Sequence, residues 1–182
     1  MSLWLPQKGW MDTPGQWPFA CGPMREDSLF RLAGVTLEEK HPQRHGRDVE
    51  HERQIALYDL TVSNHFRPVG SPGGPYQLVL GVEENRLVFS VKLESGEQHG
   101  KLILSLTPFR RVIKDYFHVC ESYYKAIPNQ PSGRIETLDM GRRGLHDEGA
   151  QILMERLKGK IEVDFDTARR LFTLICVLHL KG

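Results

Sequence analysis

Cysteine is scarce in this sequence: Cys21, Cys120 and Cys176 are the only three, odd in number and widely spaced. That pattern excludes a secreted disulfide scaffold and fits a reducing compartment. Excess charge of either sign is also missing, with 24 Lys and Arg against 23 Asp and Glu and a net charge of +1. Bulk charge therefore cannot hold nucleic acid, and any RNA contact would need a local basic patch. Long apolar runs are absent too. The longest, Leu171 to Leu180, is about half of the roughly 20 residues a membrane-spanning helix needs, so no membrane partner is expected. No stretch near the N-terminus has the basic start, apolar middle and small-residue cleavage site of a secretory signal. These absences predict a cytoplasmic protein. With 182 residues, 40% hydrophobic and 26% charged, the chain suits one domain with its own core.

Residues 1–23 differ from the rest. They hold all three tryptophans (Trp4, Trp10, Trp17) and four of the eleven prolines (Pro6, Pro14, Pro18, Pro23), with no helical or alternating period. Proline at that density blocks regular structure, so residues 1–23 are expected to be a disordered or non-native extension, with Met24 the natural beginning. Residues 24–182 are expected to form a single α+β domain.

Within it, Leu29 to Leu37 reads as a strand and Asp48 as the cap of a helix carrying Val49, Ala56 and Leu60 on one stripe, with Ile55, Tyr58 and Val62 beside it. Asn64 to Gly74, rich in Gly and Pro, reads as a long loop. Three alternating segments follow: Tyr76, Leu78, Leu80, Val82; Leu87, Phe89, Val91, Leu93; and Leu102, Leu104, Leu106. Their short polar connections predict an antiparallel meander. Thr107-Pro108 opens a helix to Ile127, with Phe109, Val112, Ile113, Tyr116, Cys120 and Tyr123 on its apolar stripe. A second helical stretch, Ile135 to Lys158, is interrupted by Gly141, Gly144 and Gly149, which predicts a kink or break near Gly144. Ile161 to Phe165 reads as a short strand, and Asp166-Thr167 as the cap of a last helix. That helix is apolar all round in its second half, so the core or a second copy of the chain must cover it. The expected fold is α+β: a three- to four-stranded antiparallel meander with about four helices packed mainly on one face.

Several long, idiosyncratic segments carry a resemblance: DVEHER (Asp48–Arg53), FRPVG (Phe66–Gly70), LSLTPFRRVIKDYF (Leu104–Phe117), CESYYKAI (Cys120–Ile127), DMGRRGLHDEGAQIL (Asp139–Leu153) and GKIEVDFDTARRLFTLICVLH (Gly159–His179). From about Phe30 to Gly182 the chain resembles a bacterial uncharacterised protein family of the UPF series (0262). The resemblance implies a bacterial cytoplasmic protein and carries over no catalytic residues, so the chemistry must be read from the residues themselves.

Three Arg-Arg pairs stand out: Arg110-Arg111, Arg142-Arg143 and Arg169-Arg170. Two of them fall about one turn inside a predicted helix start, where the backbone dipole disfavours a cation by roughly 0.3–1 kcal/mol. Negative charge should answer them. Either a bound phosphate or carboxylate does so, making the six arginines an anion-binding surface, or the fold's own Asp115, Glu121, Glu162, Asp164 and Asp166 do. Neighbours on a helix point about 100° apart, so both members of a pair cannot aim squarely at one ligand.

The segment Gly141 to Gly149 adds His146 and Glu148 as candidate catalytic groups beside Arg142 and Arg143. No phosphate-loop or dinucleotide fingerprint is present, and no cofactor is expected. Cys176 and His179 share a helix face, with His118 and Cys120 on another helix. Without a Cys-x-x-Cys the spacing is too weak for zinc, and no metal site is expected. His51-Glu52 lacks a second histidine four residues on. Cys120 lies on an apolar stripe, shielded from reaction.

Two functions follow: a binding or regulatory protein with an arginine-rich anion-binding surface, able to form a homodimer, or an enzyme acting on a phosphorylated or carboxylated small molecule. RNA contact through Tyr116, Tyr123, Tyr124 and their basic neighbours is a third reading.

Overall fold

The computed structural model describes residues 29–38, 46–128 and 130–179. The extension expected over residues 1–23 lies outside the described residues. Among the described residues, four α-helices, a four-stranded sheet and a two-stranded ribbon form an α+β architecture. In chain order the elements are β1 (Leu32–Glu38), α1 (Arg47–Val62), β2 (Phe66–Pro68), β3 (Tyr76–Glu83), β4 (Arg86–Leu93), β5 (Gln98–Ser105), α2 (Arg110–Ala126), α3 (Ser132–Leu157), β6 (Ile161–Val163) and α4 (Phe165–His179).

The meander is the part dictated most directly by alternation. β3, β4 and β5 pair antiparallel, with Leu78 opposite Val91, Leu80 opposite Phe89, and Phe89 opposite Leu102. These residues share one face, which packs with the helices' buried side chains into one core. A two-residue turn joins β3 to β4, and Glu84 and Asn85 both adopt the positive φ that such a turn requires, 44° and 63°.

β1 completes the sheet beside β3 but runs parallel to it, giving the order β1-β3-β4-β5 and a mixed sheet rather than an all-antiparallel one. The cause is the intervening helix: a parallel neighbour needs a crossover, and α1 is that crossover. Asn64, just past α1, fixes the junction. Its side-chain oxygen accepts the Leu32 N–H at 2.6 Å, while its amide donates to the Leu32 carbonyl at 3.0 Å and to the Leu60 carbonyl at 2.5 Å. The segment read as a long loop therefore holds both this clamp and β2, which pairs antiparallel with β6. Alternation over three residues is too short a pattern to read.

Helix boundaries shift where caps were misassigned. α1 begins at Arg47, so Asp48 lies in its first turn and does not cap it. Thr107–Phe109 forms a single 3-10 turn that leads into α2. The strand read to Phe165 ends at Val163, and Asp164, not Asp166, caps α4: its carboxylate accepts the Thr167 N–H at 2.6 Å and its carbonyl the Ala168 N–H at 3.0 Å. α4 is then buried continuously from Leu171 to Val177. The chain's own elements cover it, chiefly α1 and α3 on its two sides. No helix among the described residues is long and apolar enough to cross a membrane.

α3 runs unbroken for 26 residues, with no break at Gly144. Its glycines serve different ends. Nothing lies within 4 Å of a side chain built at Gly144, whereas at Gly149 such a side chain would collide with the ring of Phe172 in α4. Gly149 lets the two helices approach, and the packing gained outweighs its cost of about 1 kcal/mol in helix propensity. Gly149→Ala is accordingly expected to lower the unfolding free energy by about 1–3 kcal/mol through overpacking. Gly144→Ala should raise it by up to about 1 kcal/mol. Urea titrations of the two variants check this, and equal effects would contradict the packing account.

Candidate functional site

Three helices meet around a cleft of about 230 Å³. α1 contributes Glu52, Ile55, Ala56 and Asp59; α3 contributes Arg142 and His146; α4 contributes Asp166, Arg169, Arg170 and Thr173. Each set falls at helical steps of three or four residues, so each helix turns one stripe into the cleft. Three guanidinium groups and three carboxylates line it.

Arg142 is the most firmly held of the three arginines. Its side chain is 19% exposed and pairs with Glu52 at 3.1 Å and with Asp139 at 2.9 Å. Its guanidinium also lies over the ring of Tyr123, 5.5 Å from the centroid. Burial works against the charge, but the hydrogen bond to Asp139 and the Glu52 carboxylate more than offset it, so the group stays protonated. The same hydrogen bond to Arg142 pulls Asp139 below its ordinary carboxylate value. Tyr124 donates to the Glu52 oxygen at 3.4 Å. Arg142 thus ties α3 to α1.

Arg169 and Arg170 are held more loosely. Arg170 reaches Asp59 at 3.5 Å and donates to the Ser63 carbonyl at 3.1 Å, at the end of α1. Arg169 meets Asp147 at 2.9 Å through Nε. This is a contact of charges, not an aligned hydrogen bond: Arg169 Nε and Asp147 Oδ1 are both buried, and neither has a hydrogen-bond partner among the described residues.

His146 is the chemically distinctive member. It is 9% exposed, its ring stacked on Tyr116 at 4.6 Å and set edge-on to Phe172 at 6.0 Å. Nε2 is buried without a hydrogen-bond partner among the described residues. Burial first, then the nearby charges of Arg142 and Arg169, push its pKa down to about 4. The imidazole is therefore neutral at pH 7.

The remaining sequence candidates lie away from the cleft. Arg143 is 67% exposed and pairs with Asp139 at 2.8 Å. Arg110 is exposed on α2. Arg111 pairs with Asp115 at 3.6 Å and closely with Glu148, joining α2 to α3. His146 and Glu148 face different neighbours because residues two apart on a helix point about 200° apart. Of the five carboxylates expected to answer the arginines, only Asp115 forms an ion pair with one of them among the described residues, and Asp166 lines the cleft with Arg169 and Arg170. Asp164 caps α4, while Glu121 and Glu162 pair with Lys125 and Arg67. The partners are instead Glu52, Asp59, Asp139, Asp147 and Glu148, none of them read as such from the sequence; all five lie on α1 or α3, and all but Asp139 meet an arginine of another helix.

Neither thiol among the described residues is activated as a nucleophile. Burial raises the pKa of both Cys120 and Cys176. Tyr116, offered for RNA stacking, is buried, and Tyr123 and Tyr124 are half-buried and packed edge to face at 5.4 Å. Among the described residues, no group of three or more His, Cys, Asp or Glu could hold a metal ion.

A family model described as "Uncharacterised protein family (UPF0262)" matches residues 29–181. Among curated proteins, a UPF0262 protein of Nitrobacter winogradskyi is 54% identical over 160 residues, spanning 88% of this chain and 96% of the relative. One from Rhizobium meliloti is 55% identical, spanning 87% of this chain and 100% of its own length. A third, from Rhizobium etli, is 56% identical over 84% of this chain and 97% of its own. No solved structure matches the chain.

Because the folded-state pKa of His146 lies below the ordinary 6.5, the unfolded chain takes up that proton first as pH falls. Its contribution is fully present above about pH 6.5 and is lost progressively toward about pH 4. The unfolding free energy of the native protein is expected to drop by about 2 kcal/mol more than that of His146→Phe between pH 7 and pH 5. Denaturant titrations at the two pH values measure the difference, and a pH-independent gap between the proteins would show that His146 is not held neutral.

Proposed function

We propose that this chain, which belongs to the uncharacterised protein family UPF0262, binds a small oxyanion, a carboxylate or a phosphate group, in the cleft between α1, α3 and α4. The observation that carries this reading is the buried, unpartnered Nε2 of His146, which lines the same cleft as Arg169 and Arg170. A buried polar nitrogen left without a partner costs about 1–3 kcal/mol. A ligand oxygen supported by Arg169 and hydrogen-bonded to a protonated His146 recovers that cost and adds charge-assisted bonds.

The bare electrostatic argument from crowded arginines is weaker than the sequence suggested, because Arg111, Arg142, Arg143, Arg169 and Arg170 each meet a carboxylate of the fold. Arg169, Arg170 and His146 are therefore the binding groups in this proposal, with Arg142 positioning the helices. An enzymatic reading needs a second reacting group beside His146. Glu148 is engaged with Arg111, and both described thiols are shielded, so binding is the favoured function. The reading is of a cytoplasmic protein, in keeping with the free Cys120 and Cys176. Support for a homodimer moves from α4 to α1, where Ile55, Tyr58 and Val62 are exposed.

A thermal-shift titration with inorganic phosphate and with acetate tests the proposal. At a hundredfold excess over the dissociation constant, stabilisation of about 2.7 kcal/mol is expected. Arg169→Ala and His146→Phe should each lose most of it. Since a bound anion favours the imidazolium, affinity should also rise from pH 7.5 to pH 5.5 in the native protein but not in His146→Phe. Absence of stabilisation by either anion across that range would sink the reading.

A further inference from the structure

Directly beside the charged cleft lies a second, much smaller cavity of about 30 Å³. Its wall is built mainly from Val49 of α1, Tyr116 and Cys120 of α2, and Cys176 and Val177 of α4. Glu52 and Thr173 line both cavities, so the two are neighbours. Tyr116 lines the small cavity and stacks on His146, which lines the large one.

We infer that the ligand is a monocarboxylate with a short apolar tail, its carboxylate held at Arg169, Arg170 and His146 and its tail seated between Tyr116, Cys120, Cys176 and Val177. This rests on the anion-binding reading and narrows it. The single negative charge follows from the lining of the cleft: its three arginines are matched by three carboxylates, so the one positive charge left to meet a ligand is that of His146 when it takes up a proton. The tail follows from the adjoining cavity, whose tyrosine and thiol neighbours stay un-ionised: burial raises the pKa of Tyr116, Cys120 and Cys176 alike. Its size follows from the volume. A space of about 15 Å³ on this measure admits one water-sized group, so the cavity takes roughly two carbons.

The experiment is a calorimetric or thermal-shift titration of the full chain with acetate, propionate, butyrate and valerate, and with inorganic phosphate, at one pH and ionic strength. Affinity is expected to rise about fourfold for each of the first two carbons added beyond acetate and then to level off. Cys120→Leu, which fills the cavity, should abolish the gain with chain length. Val49→Leu serves the same purpose from α1 if Cys120→Leu does not fold. Equal affinity across the series in the native protein overturns this inference and leaves the anion reading standing. A chain-length gain that survives both filling variants also overturns it, because the tail then sits elsewhere. Binding of none of the five anions removes both readings together.

Discussion

The fold is organised by one demand: the second half of α4 has no side that can face water. From Leu171 to Val177 every residue is buried, so this helix must be enclosed on all sides. α1 and α3 flank it, and α3 comes close because Gly149 leaves room for Phe172. The β2–β6 ribbon anchors its start, where Asp164 caps it and Thr167 accepts the His65 N–H at 3.0 Å. Enclosing the apolar half brings the polar first turns of the same helix out between α1 and α3. Arg169 and Arg170 are carried there by helical geometry and need no loop or motif to position them.

The charged cleft is a consequence of that arrangement, and its members differ in worth. Exposed pairs such as Lys125 with Glu121 contribute little to stability. Arg142 differs, since it sits 19% exposed between two carboxylates and an aromatic ring and links α1 to α3. Truncating it would strip Glu52 of its guanidinium partner in a poorly solvated site and leave Asp139 to the exposed Arg143. His146 is the opposite case. Packed against Tyr116 and Phe172 and facing two arginines, it is kept neutral, with a buried nitrogen that the fold leaves unused. The cleft thus combines a rigid ion-paired frame with a titratable group held away from its ordinary pKa, the combination on which ligand sites draw.

Much of this was legible along the chain, for local reasons. Alternation in Tyr76–Val82 and Leu87–Leu93 set the hairpin and its buried face, since a period of two fixes which side chains share a side. The stripe through Val112, Ile113 and Tyr116 marked α2. Misreadings came where a local rule met a stronger distant contact. Gly144 and Gly149 read as helix breakers, yet α3 continues through both, and at Gly149 it packs against Phe172 of α4. Phe66–Pro68 read as loop, although it pairs antiparallel with Ile161–Val163 far along the chain. Of the candidate site residues, Arg142, Arg169, Arg170 and His146 do converge, while Arg110, Arg111, Arg143 and Glu148 do not line the cleft.

By itself, then, the sequence determined composition, element types and the all-round apolar character of α4, because those depend on nearest neighbours and on period. Which carboxylate answers which arginine was decided only in three dimensions. Glu52 and Arg142 lie 90 residues apart and meet only when α1 and α3 close on α4. The parallel placement of β1, the neutrality of His146 and the nearness of the charged cleft to the apolar cavity were decided in the same way. Desolvation and contact across helices are properties of the packed core, and no stretch of chain carries them alone.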